Sequence, residues 1–477
     1  MLYNKNDLKT ALESEVIYLD DNYNYQIDHV VFDNREVKEN TLFIARKGER
    51  TDGHRFIADA LKLREDTIVL AERLPEDVKK NNRIILVKST DRAFEKLAIF
   101  ARSRLKYPAI GITGSIGKTG TKDLFYNCLS KFGKSHCNEQ SFNNYTGVLV
   151  TLANTPADTQ YPIYEMGMNA KGEMDIIEGF IKPEISVILN VKQAHFGCFS
   201  SEEEIAIEKS KIMGESTKVV VLNKDNKWYE FLYKIASKKN IKIISFGTEP
   251  KDTEVSLLGH KVDGNVALVK YLVDGKTYEK VFKNIDYNLA YNAQALLCVA
   301  QYLGLSIDKI LDVVADTDTT RGRNNIEYAN YQKDGKNINL TIINGAYNAV
   351  NPDVFVSGLR LMDNVYKQGK NKRKVCIWGD ILEAGSKSQE FHIGLGKHLV
   401  DSKIDLLLTV GQYMNQLSDT LEDSAITRVK FDAIEDMVAN VKSYLEDGDL
   451  VFIKSSKGIK TYKVLNSLVE NEMKLFV

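Results

Sequence analysis

Short apolar runs with polar or glycine-bearing tips alternate along the chain with stretches whose apolar residues recur three and four positions apart. Within residues 1–105, VVFDN, NTLFIAR, DTIVLAE and NRIILVK read as strands, while HRFIADALKL and RAFEKLAIFARSRL carry helical periodicity. From 106 to 320 the runs AIGITG, YPIYEMG, ISVILNV and KVVVLN are each followed by helical or loop material, the pattern of a mostly parallel sheet covered by helices. Residues 321–477 repeat the style with NLTIIN, KVCIWGD, DLLLTVG and DLVFIKS. The expected fold is α/β in three domains, 1–105, 106–320 and 321–477, without internal repeats. Ligands of open α/β sheets collect at the carboxyl ends of the strands, so the tips of these runs are where chemistry is sought.

Composition narrows the class. A chain of 477 residues exceeds one hydrophobic core, and 43% hydrophobic with 27% charged residues is ordinary for a soluble globular protein. The net charge of -1 gives no reason to expect nucleic acid as a partner, so anionic ligands must be met by local sites. The five cysteines, Cys128, Cys137, Cys198, Cys298 and Cys376, form no CxxC pair, which argues against a disulfide framework or a zinc site. The opening MLYNKNDLKTALESE lacks the apolar core of a signal peptide, and no apolar stretch is long enough to span a bilayer. A cytoplasmic, non-membrane protein is expected, and a monomer.

Residues 111–122, GITGSIGKTGTK, place a glycine-rich turn between an apolar strand and a helix-like run, where backbone N–H groups and the positive helix end can wrap a phosphate. The common P-loop spacing needs glycine at 112, and Ile112 stands there. The shorter element Gly114-Ser115-Ile116-Gly117-Lys118-Thr119 remains. In it Lys118 is positioned to reach terminal phosphates and Thr119 to offer a hydroxyl to Mg2+. The competing reading is a plain strand-to-helix turn with a solvated lysine.

Three further residues sit where they could complete such a site. Glu165 ends the strand in YPIYEMG and is a candidate metal ligand, or else a surface or capping glutamate. His195, in the loop KQAHFGCF after the next strand, is a candidate metal ligand or an ordinary loop histidine. Ser200 and Ser201 ahead of Glu203 and Glu204 signal a helix over about 202–213. Lys209 lies on that helix's apolar stripe with Ile205, Ile212 and Met213. Burial disfavours a lysine's charged form, and a neutral amine can take up carbon dioxide as a carbamate, a carboxylate-like metal ligand. The alternative is a lysine that snorkels to solvent.

These motifs resemble those of the Mur ligases, most closely the MurF type, which adds D-alanyl-D-alanine to a UDP-N-acetylmuramoyl-tripeptide. The resemblance covers essentially the whole chain: FDNREVKENTLFIARKGERTDGHRFIADAL, then GSIGKTGTK, FNNYTG, EMGMNAKGEM and NVKQAHFGCFSSEEEIAIEKSKI, then TRGR, AYNAVNPD, WGDILEAG with His392, and IKSSKGIK. It implies an amino-terminal UDP-sugar domain, a central ATPase domain and a Rossmann-like carboxyl-terminal domain that closes on ATP. The ligands implied are ATP, two Mg2+ ions, a UDP-linked muramoyl peptide and D-Ala-D-Ala or a related amine, acting in peptidoglycan precursor synthesis.

By the same resemblance Gly114, Ser115, Gly117, Lys118, Thr119, Gly120 and Thr121 hold ATP phosphates, with Asn292 on the adenine side. Arg323, Tyr347 and Asn348 are nucleotide contacts from the third domain. Thr119 and Glu165 would serve one Mg2+, and His195 with carbamylated Lys209 the other. Lys118, His195 and Lys209 are then the catalytic candidates. Asp33, Asn34, Arg35, Lys47 and Gly48 match the uridine-nucleotide end, and Asn143 and Asn144 the central substrate loop.

The pattern breaks in several places. Gly120 replaces a hydroxyl residue, Gln140-Ser141 a glycine-asparagine, Lys192-Gln193 a glycine-proline, and Gly345 an aspartate; Val350 is extra, and KSSK at 454–457 replaces KGSR. None removes Lys118, Thr119, Glu165, His195 or Lys209. Two other readings therefore stand beside the ligase of the MurF type: a divergent Mur ligase paralogue joining another acid and amine, and a non-catalytic nucleotide-binding relative.

Overall fold

The protein was analysed as a computed structural model, which describes residues 1–48, 51–193, 198–318, 321–382 and 384–469. Its chain forms two compact units, one of residues 1–113, 125–187 and 211–220, the other of 114–124, 188–210 and 221–477. The α/β class expected from the apolar runs is what the chain adopts.

In the first unit a five-stranded sheet runs in the order Val16–Tyr18, Ile84–Val87, Ile68–Ala71, Thr41–Ile44, His29–Val31, parallel except for its first pair. Thr41–Ile44 and Ile68–Ala71 are buried along their whole length, as strands covered on both faces must be. Helix Thr90–Ser103 begins at Ser89, whose hydroxyl accepts from the Arg92 N–H. The same unit pairs Ile110–Thr113 with Tyr161–Glu165, and the latter with Ser135–Cys137, all parallel. That register brings Glu165 opposite Ile112.

The second unit holds a six-stranded sheet in the order Asn325–Lys333, Lys336–Gly345, Asp449–Lys454, Arg373–Gly379, Leu406–Val410, Thr427–Phe431. Only its first pair is antiparallel. The mostly parallel arrangement expected over 106–320 is joined by one antiparallel addition. Val255–Asp263, Val266–Val273 and Lys276–Phe282 form antiparallel hairpins. Burial alternates along Val266–Val273, so one face is wet and long helical crossovers are not needed. The turn at Asp274-Gly275 has positive φ at both residues, as does the Asp334-Gly335 turn in the six-stranded sheet, and such two-residue turns match the strand twist.

One correction concerns the helix expected over 202–213, which ends at Ser210. Its start is as the capping pattern implies: Ser201 Oγ accepts from the Glu204 N–H at 3.2 Å, and Glu204 accepts from the Ser200 N–H at 2.8 Å. Ile212 and Met213 are fully buried although they lie past the helix, so the apolar spacing reported burial and not helical continuation.

Past the strand Arg373–Gly379, Asp380 accepts from the N–H groups of Tyr413 (3.3 Å) and Met414 (2.7 Å) at the start of helix Gln412–Asp419. Fully buried His392 accepts from the Ile381 N–H through Nε2 at 2.9 Å, which leaves Nδ1 to donate to the Ser388 carbonyl at 2.6 Å. This histidine is thus a neutral structural brace. Burial holds its pKa below the usual 6.5, with the Ser388 carbonyl and Asp380 opposing. The unfolded chain therefore binds a proton at His392 before the folded one does. Its contribution to stability is complete above about pH 6.5 and is lost as the pH falls below that. Urea midpoints measured from pH 7.5 to 5 should fall less steeply in His392→Gln than in the wild type, although the variant starts lower; equal slopes would contradict the assignment.

Candidate active site

In the second unit the turn Gly114–Gly117 leads into helix Lys118–Leu129. Its outer half is fixed by the segment after strand Ile185–Ile188: the Ser115 N–H donates to the Asn190 carbonyl (3.0 Å), the Ile116 N–H donates to Asn190 Oδ1 (2.9 Å), and Ser115 Oγ donates to the Lys192 carbonyl (2.8 Å). Asn190 is a positioning residue: it opens the motif NVKQAHFGCF, but the sequence does not show that its amide holds the turn. The N–H groups that the helix itself cannot satisfy are those of its first turn, which is where an anion is held.

Gly117 has φ +84, and a Cβ there would stand 3.1 Å from the Asn292 amide nitrogen, so both conformation and space call for glycine. That contact also brings Asn292, from helix Tyr287–Tyr302, onto the loop. A Cβ at Gly120 would meet nothing within 4 Å, so no steric demand explains that glycine. Lys118 folds back over the turn, its Nζ donating to the carbonyls of Gly114 at 2.8 Å and Ser115 at 3.5 Å. Thr119 and Thr121 are buried, and Thr121 Oγ1 lacks a hydrogen-bond partner.

Lys209 is 3% exposed. Burial first, and then the charge of Lys118, push its pKa well below that of a free lysine, against the opposing pull of Glu208. So low an exposure argues against the snorkelling alternative, in which the side chain extends into solvent. His195 lies outside the described residues. Among the described residues no three His, Cys, Asp or Glu side chains gather into a metal cluster.

In the first unit Glu165 is fully buried. Its backbone N–H donates to Asn138 Oδ1 at 2.6 Å, and its Oε1 accepts from Asn143 Nδ2 at 2.5 Å. Oε2 has no hydrogen-bond partner. A surface or capping glutamate would not look like this. A buried carboxylate with a bare oxygen is costly unless a cation offsets it, so Glu165 fits a hard metal ion such as Mg2+. Asn144 caps helix Tyr145–Ala153 through the Gly147 N–H at 3.0 Å. In the same unit Arg35 grips Asp33 through Nε and Nη2 (2.6–3.0 Å), which holds the Asp33 carboxyl below its usual range. Asn34 opens the short turn Asn34–Glu36, and the Gly48 N–H closes onto the Thr51 carbonyl at 2.9 Å, next to a Lys47–Asp52 bridge.

The remaining candidates lie on the second unit's strand tips. The Arg323 guanidinium stacks 4.6 Å over the Tyr347 ring, and Asn348 Oδ1 accepts from the Lys457 N–H at 3.0 Å. Lys192, the unexpected cation, pairs with Asp353 at 2.6 Å, and Asn351 Nδ2 donates to the Gln193 carbonyl at 3.1 Å. A cavity of about 420 Å³ opens beside these contacts, lined by Lys192, Lys227, Glu202, Asp225 and Asp353 among others, so both signs of charge face it.

Comparison with known proteins places these features. The Mur ligase middle domain matches residues 112–300, and the Mur ligase glutamate ligase domain matches residues 335–457. A UDP-N-acetylmuramoyl-tripeptide–D-alanyl-D-alanine ligase of Rickettsia prowazekii is 30% identical over 469 residues, 98% of this chain and 99% of the relative. One from Bacillus subtilis is 28% identical, covering 94% of each. Among solved structures, MurF from Acinetobacter baumannii superposes with a TM-score of 0.80 at 24% identity, covering 98% of this chain and 99% of that one. MurF ligase from Thermotoga maritima, solved in complex with ADP, gives 0.72 at 24% identity, covering 92% and 96%. These structural likenesses speak to the fold.

Proposed function

Since the chain belongs to the Mur ligase family, we propose that it joins D-Ala-D-Ala to a UDP-linked muramoyl tripeptide at the expense of ATP, in the cytoplasm and as a monomer. The observation that carries this reading is Lys118 folded over a turn pinned by Asn190, with a buried lysine, Lys209, close enough for their charges to act on each other.

A carboxylate is a poor acyl donor because it is anionic and would have to expel oxide. Transfer of the ATP γ-phosphoryl breaks the bond to ADP and makes an acyl phosphate. Positioning and charge neutralisation dominate such a transfer, and they are what Lys118 and the first turn of its helix supply. The deprotonated amine then adds to the acyl carbon, the tetrahedral oxyanion collapses, and inorganic phosphate leaves with the C–O bonding pair. Excluding water protects the activated acid from hydrolysis.

Gly114, Ser115, Gly117, Thr119, Gly120 and Thr121 are assigned to the phosphates, and Asn292, Arg323, Tyr347 and Asn348 to the rest of the nucleotide. Thr119 and Glu165 are each assigned as Mg2+ ligands, as are His195 and a carbamylated Lys209; when bound, Mg2+ would neutralise phosphate charge. Asp33, Asn34, Arg35, Lys47, Gly48, Asn143 and Asn144 are assigned to the UDP-linked substrate. The mixed-charge cavity beside Lys192 and Asp353 suits an amine that also carries a carboxylate. We assign 1–105, 106–320 and 321–477 as the substrate, ATPase and closing domains.

The test is a screen of acid and amine pairs read by mass spectrometry, with ADP and phosphate measured alongside. Equimolar ADP, phosphate and a product of mass acid plus D-Ala-D-Ala minus water is expected. Turnover only with another amine or acid would favour the paralogue reading, which Gly345 and the lysine-rich KSSK motivate. Nucleotide binding without turnover for any pair would favour the non-catalytic one.

A further inference from the structure

Arg46 leads directly into the Lys47-Gly48 turn, and its guanidinium meets a residue 100 positions further along the chain. Nη1 donates to Thr146 Oγ1 at 2.8 Å, and Nε donates to Asp91 Oδ1 at 2.8 Å. Thr146 lies in the first turn of helix Tyr145–Ala153, two residues after the capping Asn144. Asn143, ahead of that cap, is pinned in turn. Its carbonyl accepts from the Gly167 N–H at 2.9 Å, its Nδ2 donates to Glu165, and a Cβ at Gly167 would stand 2.4 Å from its Oδ1. Helix Thr90–Ser103 backs both ends of this link. Asp91 and Glu95 are four residues apart on it and share a face; the first holds Arg46, and the second accepts from the Tyr145 hydroxyl at 2.5 Å. All of these residues belong to the first compact unit.

The Asp91 side chain is 53% exposed, so its ion pair with Arg46 adds little to stability. What the arrangement supplies is spacing, because a planar guanidinium donates to two partners in fixed directions. We propose that Arg46 is a positioning residue that sets the distance between the Lys47-Gly48 turn and the Asn143-Asn144 loop, so that a ligand long enough to touch both is held at two points. The inference rests on the assignment of these segments to the UDP-linked substrate and adds how they act together. Once one end of such a ligand is seated, the second contact is intramolecular, and its strength depends on how well the span of the site matches the ligand. A misplacement of about 1 Å can cost about a hundredfold. A short ligand that meets the turn alone gains nothing from the spacing.

The test uses the full chain and two probes, UDP and a UDP-N-acetylmuramoyl tripeptide, with binding measured by calorimetry in the absence of ATP. Arg46→Met keeps the stem and removes both donors. It should weaken the tripeptide probe by about tenfold to a hundredfold and change UDP by less than about twofold. Thr146→Val, which removes one acceptor and keeps the shape, should show the same split, and the double variant should bind no more weakly than Arg46→Met alone, since both act through one contact. Arg46→Met should melt within about 3 °C of the wild type; should it fail to fold, Thr146→Val carries the test. Equal weakening of both probes would make Arg46 a plain support of the turn and overturn the proposal, as would unchanged affinity for both, or additive effects of the two substitutions. A wild type that binds neither probe would sink the substrate assignment and this inference with it, whereas a wild type that binds both while the variants show no split sinks the inference alone.

Discussion

Lys118→Met is expected to lower ATP-dependent product formation by about 10²–10³-fold, the usual loss when one preorganised charge at a reacting phosphoryl group is removed. The fold should persist. Lys118 donates to carbonyls of its own turn, and it begins the helix without filling the core. Methionine preserves the apolar stem, so the change isolates the charge. Arginine should not restore the rate, since a planar fork cannot occupy the space of a compact ammonium inside a turn of this size. Steady-state phosphate release checks the rate, and urea unfolding checks the fold. Wild-type turnover in Lys118→Met would remove the phosphate site from the mechanism.

The parts of this site that local sequence dictates are legible in the order of residues alone. Glycines, a lysine and a threonine between a strand and a helix have few other uses, and apolar runs such as ISVILNV and KVCIWGD cannot be stably exposed. The hairpins of residues 255–282 are signalled too, by Asp274-Gly275 between alternating strands, but the surrounding apolar runs favour a parallel reading. What local sequence does not carry is register between distant strands. Gly345 and Lys454 face each other only because the packed sheet fixes how their two parallel strands align. The glycine stands out as a departure from the family pattern; only the fold shows that the lysine fills its place. The contacts of Asn190 with the turn and of Lys192 with Asp353 are hidden for the same reason.

Lys209→Ala is expected to lower turnover by a similar factor of about 10²–10³, and the reason differs from that at Lys118. A protonated amine would put a second positive charge beside Lys118 in a setting that excludes water, and burial already pushes Lys209 towards the neutral form. A neutral buried amine that attacks carbon dioxide forms the C–N bond of a carbamate and releases a proton, so the side chain would go from neutral to negative. That change would add an attraction to Lys118 and offer a ligand for a hard cation. Alanine removes the amine and leaves space, so short carboxylates such as acetate or propionate, added at millimolar levels, should restore part of the activity to Lys209→Ala and none to Lys118→Met. Intact-mass measurement under native conditions should find the carbamate's added mass on the wild type and not on Lys209→Ala. Full activity in Lys209→Ala would eliminate the carbamate, and low activity without rescue by any carboxylate would leave Lys209 a packing residue whose loss disturbs the helix Glu202–Ser210.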